Sequence, residues 1–123
     1  MEINEITRDI LDASIEVHKT LGPGLLERVY ELALKKELEL REHKVDSQIP
    51  IEITYKGTIL SKELRLDLLV DDTIIIELKS VEELKNVHFK QLQTYLKLTN
   101  LRIGILINFN VTLLKDGFHR IAN

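Results

Sequence analysis

RLDLLVDDTIIIELKS, residues 65–80, is a nearly unbroken aliphatic run with Asp67, Glu77 and Lys79 set into it. How this stretch pairs with itself decides the fold. Asp71-Asp72-Thr73 reads as a turn between two strands, and directly opposed residues on antiparallel strands point to the same sheet face. A two-residue turn at Asp71-Asp72 pairs Asp67 with Ile76 and sends Glu77 to the opposite face. A three-residue connection pairs Val70 with Ile74, Leu69 with Ile75 and Asp67 with Glu77. The longer connection separates the faces cleanly. Leu64, Leu66, Leu68, Val70, Ile74, Ile76 and Leu78 share one, while Arg65, Asp67, Glu77 and Lys79 share the other with Leu69 and Ile75. It also brings the Cβ atoms of the two acids to about 5 Å.

Outward from this hairpin the period changes. Upstream, Ile49, Ile51, Ile53 and Tyr55 alternate with polar residues, Lys56-Gly57 supplies a turn and Ile59-Leu60 opens the next strand. Pro50 has no N–H to give a ladder, which assigns this strand to a sheet edge. Further upstream, Ile3, Ile6, Ile10, Ala13 and Val17 recur at helical spacing, and LGPG at 21–24 ends that helix. A second helix is expected from about Leu25 to His43, with Leu26, Val29, Ala33 and Leu40 inward and the Glu31/Lys35 pair outward. Downstream, a helix from about Glu83 to Leu98 buries Phe89, Leu92 and Leu96 and stops at Asn100. LRIGILINF at 101–109 is a further buried strand, and KDG at 115–117 turns into a short last one. The order α, α, three strands, α, strand, strand predicts a mixed α/β (α+β) domain with a helix-covered sheet.

The chain has 123 residues, 44% of them hydrophobic and 30% charged, which suits one domain over 1–123 with a substantial core. With no cysteine there is no disulfide, thiolate metal site or thiol nucleophile, and the N-terminus MEINEITRDILDAS lacks the basic-then-apolar pattern of a leader. These features point to a soluble cytoplasmic protein without a membrane span. A net charge of -3 argues against coating nucleic acid by bulk electrostatics but leaves room for a local phosphate site. His18, His43, His88 and His119 show no ligand spacing and read as surface or packing residues, with His18 close to the second-helix motif.

Two carboxylates this close repel, and burial adds desolvation, so one takes up a proton unless a cation intervenes. Oxygen ligands suit Mg2+ or Mn2+, with waters and a substrate phosphate completing the shell. Lys79 is on the same face as Glu77, placed to hold a nucleophile or offset charge on a phosphate. The triplet alone is equally readable as a structural ion-pair cluster on a half-solvated sheet.

Three further motifs narrow the reading. Asp67, nine intervening residues, then Glu77-Leu78-Lys79 resembles the core signature of the PD-(D/E)XK nuclease superfamily, a restriction-endonuclease-like fold. GLLERVY at 24–30 matches the motif of the GxxExxY family at Gly24, Glu27 and Tyr30, and QLQTY at 91–95 resembles the Q-x-x-x-Y element of the superfamily's exonuclease branch. Leu66 stands where the superfamily name has Pro. The resemblance implies that Asp67 and Glu77 ligate the metal and that Lys79 is the catalytic lysine. It implies that Glu27 faces the metal directly or through water, and that Gln91 and Tyr95 position substrate. It implies a Mg2+- or Mn2+-dependent nuclease acting on DNA rather than RNA, with an exonucleolytic leaning. The small acidic surface suggests a homodimer to complete a channel. Lys85, Lys90 and Lys97 flank the expected cleft, as a solvated face or as phosphate contacts. Read from the residues alone, Glu27 is equally a first-turn acid favoured by the helix dipole, Tyr30 a packing residue, and Gln91 and Tyr95 a solvated helix edge. A catalytically silent nucleic-acid-binding or regulatory module with the same fold is the alternative function, and a hydrolase of another phosphate ester is a third.

Overall fold

The computed structural model describes residues 1–123. Its elements follow the order expected from the two hydrophobic periods: α1 (Ile3–Leu21), α2 (Glu27–Leu40), β1 (Val45–Tyr55), β2 (Thr58–Val70), β3 (Ile74–Lys79), α3 (Asn86–Thr99), β4 (Ile103–Asn108) and β5 (Phe118–Ala122), with a 3-10 turn at Leu114–Gly117 before the last strand. The strands form one sheet in the order β1-β2-β3-β4-β5, so β1, which carries Pro50, is an edge strand. The β3/β4 pair is parallel and the others are antiparallel. Parallel neighbours need a long crossover, and α3 supplies it. No helix is long and apolar enough to cross a membrane.

The β2–β3 connection has the odd length that puts both acids on one face. Val70 pairs with Ile74, Leu69 with Ile75 and Leu68 with Ile76. Asp71 and Asp72 take left-handed backbone angles, φ 52° and 54°, and the Thr73 N–H donates to Val70 O at 2.9 Å. Aspartate tolerates that region better than most residues, which explains the pair of them in the turn.

The sheet is covered on both sides. Ile6, Ile10, Ala13 and Val17 of α1 and Tyr30, Leu34 and Leu38 of α2 pack on Leu68, Val70, Ile74, Ile76 and Leu78. On the other face Leu92, Tyr95 and Leu96 of α3 pack on Ile75, Leu106 and Ile121.

Two expectations about faces are corrected. Leu64 and Leu66 lie with the α3 layer instead of continuing the Leu68–Val70 face. The β1/β2 ladder passes from Ser47↔Leu68 to Ile49↔Leu66 across Gln48, whose φ is +52°. The ribbon turns over at that kink, so simple alternation fails beyond it.

The buried face of α2 is also different. Tyr30, Glu31, Leu34 and Leu38 are inside, whereas Leu26 and Leu40 are exposed. Both stripes have helical spacing. The one that wins stacks the Tyr30 ring on Phe109, with centroids 4.5 Å apart and planes 5° from parallel. Glu31, expected to face outward, turns in to accept a 2.6 Å hydrogen bond from Gln48 Nε2 and to pair with Arg28.

Candidate active site

β2 and β3 part company after Leu68↔Ile76, and side-chain carboxylates take over where backbone pairing ends. The Asp67 N–H donates to Glu77 Oε1 at 3.1 Å, and the Leu78 N–H donates to Asp67 Oδ2 at 2.8 Å. Each acid thus satisfies the strand opposite, which fixes both rotamers and keeps the side chains together. Glu77 is buried, with 7% of its surface exposed, and Asp67 is half-buried. No buried side-chain nitrogen or oxygen lacks a partner, and Glu77 Oε2 accepts no hydrogen bond within the protein. That second oxygen therefore reaches solvent.

The electrostatics are those of negative charge confined in a poor solvent. Burial first, and the neighbouring Asp67 charge second, push Glu77 up to about 8, against the partial relief given by the Asp67 amide and Lys79. Burial also raises Asp67, with Glu27 adding to the effect, while the Leu78 amide, the Lys79 ammonium and the Gln48 side chain draw it back. Tyr95, which packs with Ile75 on the face of β3 that carries Glu77, is raised by burial and then by the charges of Glu77 and Asp67. The site calls for positive charge.

Glu27 arrives by a different route. Gly24 has φ +94°, a conformation a side chain would strain. The Tyr30 hydroxyl donates to Gly22 O and accepts the Leu25 N–H at 3.1 Å, pinning this loop to the core. Ser80, just past β3, donates to Leu25 O at 2.5 Å. Glu27, the first residue of α2, is exposed in the resulting groove, lined by Gly24, Leu25, Leu26, Arg28, Ser80 and Asn110 as well. It acts on Asp67 and Glu77 through charge at a distance and joins no three-residue ligand cluster with them.

Lys79 ends β3, half-buried and two residues beyond Glu77 on the same face. Its backbone is held where the sheet stops: Lys79 O accepts the Phe109 N–H at 2.9 Å. Asn108 extends that grip, its amide meeting both Val81 O at 2.9 Å and the Val81 N–H at 3.1 Å. Gln91 is exposed one helical turn before Tyr95.

Asn108 and Gln48 escaped the sequence reading. A polar residue closing the apolar run LRIGILIN was the visible sign of Asn108; nothing near Gln48 signals a left-handed kink. Of the histidines, His18 is a packing residue that meets Val111 O through Nε2 at 2.8 Å, and His119 stands edge-on to Phe89.

The donor set fits a hard divalent cation. The two acids supply carboxylate oxygens whose mutual repulsion a cation removes. No group of three or more Asp, Glu, His or Cys side chains is arranged to hold a metal ion, so a cation held by these two acids would take the rest of its shell from water or a phosphate, as Mg2+ commonly does. Comparison with curated proteins and with solved structures gave no match. A family model described as the PD-(D/E)XK nuclease superfamily matches residues 4–121, nearly the whole chain, including the splayed strands and the crossover helix. The chain belongs to the PD-(D/E)XK nuclease superfamily.

Proposed function

We propose that this protein is a Mg2+- or Mn2+-dependent nuclease that hydrolyses phosphodiester bonds of DNA in preference to RNA, acting from ends, in the cytoplasm and as a homodimer. Membership of the superfamily supports the broader part, a nuclease-like function on nucleic acid, and its members generally use divalent metal ions. One observation carries the reading of the site. Asp67 and Glu77 are locked together by each other's strand amides in a setting that disfavours two negative charges.

In this reading Asp67 and Glu77 hold the cation, with Glu27 contributing through an intervening water. A divalent cation there would acidify water and offset the negative oxygens of the phosphate. Lys79 orients the attacking water and stabilises the charge that builds on the phosphate in the transition state. Tyr95 and Gln91 guide the strand along α3. Exposed Lys85, Lys90 and Lys97 add phosphate contacts, so binding weakens with salt.

A catalytically silent binding module is the second reading, favoured by the exposed position of Glu27 outside any three-ligand cluster. The two are separated by incubating the protein and its Lys79→Ala variant with linear and circular, single- and double-stranded DNA, and with RNA, under Mg2+ or Mn2+. The nuclease reading expects loss of linear DNA by the wild type and at least a hundredfold slower loss by the variant, in line with a lost transition-state charge contact. Equal cleavage by both assigns the activity elsewhere, and intact substrates throughout favour the silent module.

A further inference from the structure

His88, Gln91 and Tyr95 follow one another at three- and four-residue steps and so share one side of α3. The far end of this row lies on the face of β3 that carries Glu77, since Tyr95 packs with Ile75 there, and the charges of Glu77 and Asp67 act on it. The near end lies toward the C-terminal end of β3, where Lys79 stands, because α3 is the crossover that leaves that end. Burial, then the positive charges of Lys79 and Lys85, hold His88 below the ordinary imidazole value. α3 connects the end of β3 to the start of its parallel neighbour β4, and Leu92 packs on Gly104, the partner of Ile75, so the row runs antiparallel to β3 with Tyr95 toward Ile75 and His88 toward the Lys79 end.

The orientation of the His88 ring is fixed. The Lys85 N–H donates to His88 Nδ1 at 2.9 Å, while the His88 N–H donates to Lys85 O at 3.0 Å, a capping arrangement at the start of the helix. An acceptor Nδ1 puts the proton of the neutral ring on Nε2. Nε2 has no partner in the protein, and because no buried polar atom is unpaired it faces solvent. The molecule thus holds a donor of known tautomer, free at its tip, at the same end of the sheet as a half-buried lysine. No carboxylate lies within ion-pair distance of that lysine, although its charge acts on Asp67 and Glu77 from farther off. Two donors at one end of the sheet, neither with an acceptor in the protein, describe half of an anion site.

We propose that His88 is a substrate-binding residue: its Nε2–H donates to a non-bridging oxygen of the phosphodiester that Lys79 also contacts. This inference rests on the nuclease reading above. It also gives the imidazole a task that the cap alone does not need, since any short acceptor would serve the Lys85 amide.

Two variants separate the tasks. Asparagine places an acceptor where Nδ1 is and nothing where Nε2 is; glutamine places a donor where Nε2 is and loses the acceptor. His88→Asn is expected to keep the wild-type melting temperature and to raise KM for linear DNA with Mn2+ by about tenfold or more, the loss of one hydrogen bond to a charged group. His88→Gln is expected to melt lower and to keep KM within about threefold of wild type. A wild-type KM in His88→Asn, or equal losses in both variants, overturns the proposal and leaves His88 a cap. Failure of the nuclease reading looks different: wild type and Lys79→Ala both leave every substrate intact, and the proposal for His88 falls with it.

Discussion

Glu77 shows how much of this site is written into single side chains. A carboxyl held near 8 in the folded protein carries a proton that the unfolded chain, at about 4.3, has released. Without a cation, folding is therefore fully favoured below the unfolded value and loses stability as pH rises from there through about 8. Glu77→Gln keeps the acceptor for the Asp67 N–H and removes the titration. In EDTA at pH 8 the variant is expected to be about 1–3 kcal/mol more stable than wild type by urea denaturation, with the difference vanishing near pH 4. A variant less stable at both pH values would show that the carboxyl is not strained. The residues behind this prediction were legible because strands alternate with period two and Asp71-Asp72-Thr73 has odd length. Gln48, Asn108 and His88 were not, because each acts on a backbone gap that exists only once the strands diverge or a helix begins.

Elements bring these residues together through close packing of α3 on the sheet. Gly104 of β4 lies under Leu92, and a Cβ built there would sit 2.9 Å from Leu92 Cδ1 and 3.0 Å from Cγ. The helix can approach only because that hydrogen is small. Gly104→Ala is expected to cost about 1–3 kcal/mol by overpacking and, on the nuclease reading, to slow cleavage by shifting Tyr95 from the acids and His88 from the Lys79 end. The same substitution in a Leu92→Ala background should cost less, and a double-mutant cycle measured by urea melts checks the coupling. Additive effects would place the strain elsewhere. Element order and the β2/β3 register could be read from periodicity, but the face of α2 could not. Its sequence offers one stripe through Leu26, Val29, Ala33 and Leu40 and another through Tyr30, Leu34 and Leu38. Only the partner, the Phe109 ring, chooses between them.

Over the whole molecule, a buried histidine ties distant parts of the chain to the turn that sets the register. His43 Nδ1 meets Asp71 Oδ2 at 2.6 Å and Nε2 meets Asp9 Oδ2 at 2.8 Å. Both nitrogens face carboxylates, so both carry protons. Burial opposes that charge, but the hydrogen bonds to Asp71 and Asp9 outweigh it and raise the imidazole above its ordinary value. The clamp joins α1, the segment before β1 and the β2–β3 turn, where Asp71 also accepts the Lys44 N–H at 2.9 Å and Lys44 Nζ meets Asp72 at 2.9 Å. The imidazolium stabilises the fold fully below the unfolded histidine value of about 6.5, and that contribution is lost as pH rises through the raised folded value. His43→Gln is expected to lose about 2–3 kcal/mol at pH 6, with a smaller deficit above the folded value. Urea melts across pH 5–10 check the trend, and a pH-independent deficit would contradict a charged clamp. Nothing in the spacing of Asp9, His43 and Asp71 reveals this contact, since it joins residues far apart in the chain.

The central claim is that strand divergence makes Asp67 and Glu77 one cation site. Its most direct measurement is the thermal midpoint of the wild-type protein and of Asp67→Asn with increasing Mn2+ at pH 8. Wild type should rise steadily, by about 2.7 kcal/mol of stability at a hundred times the dissociation constant, while Asp67→Asn, which retains an acceptor for the Leu78 amide, should not respond over the same range. Equal shifts in both proteins, or none in the wild type, would contradict the account.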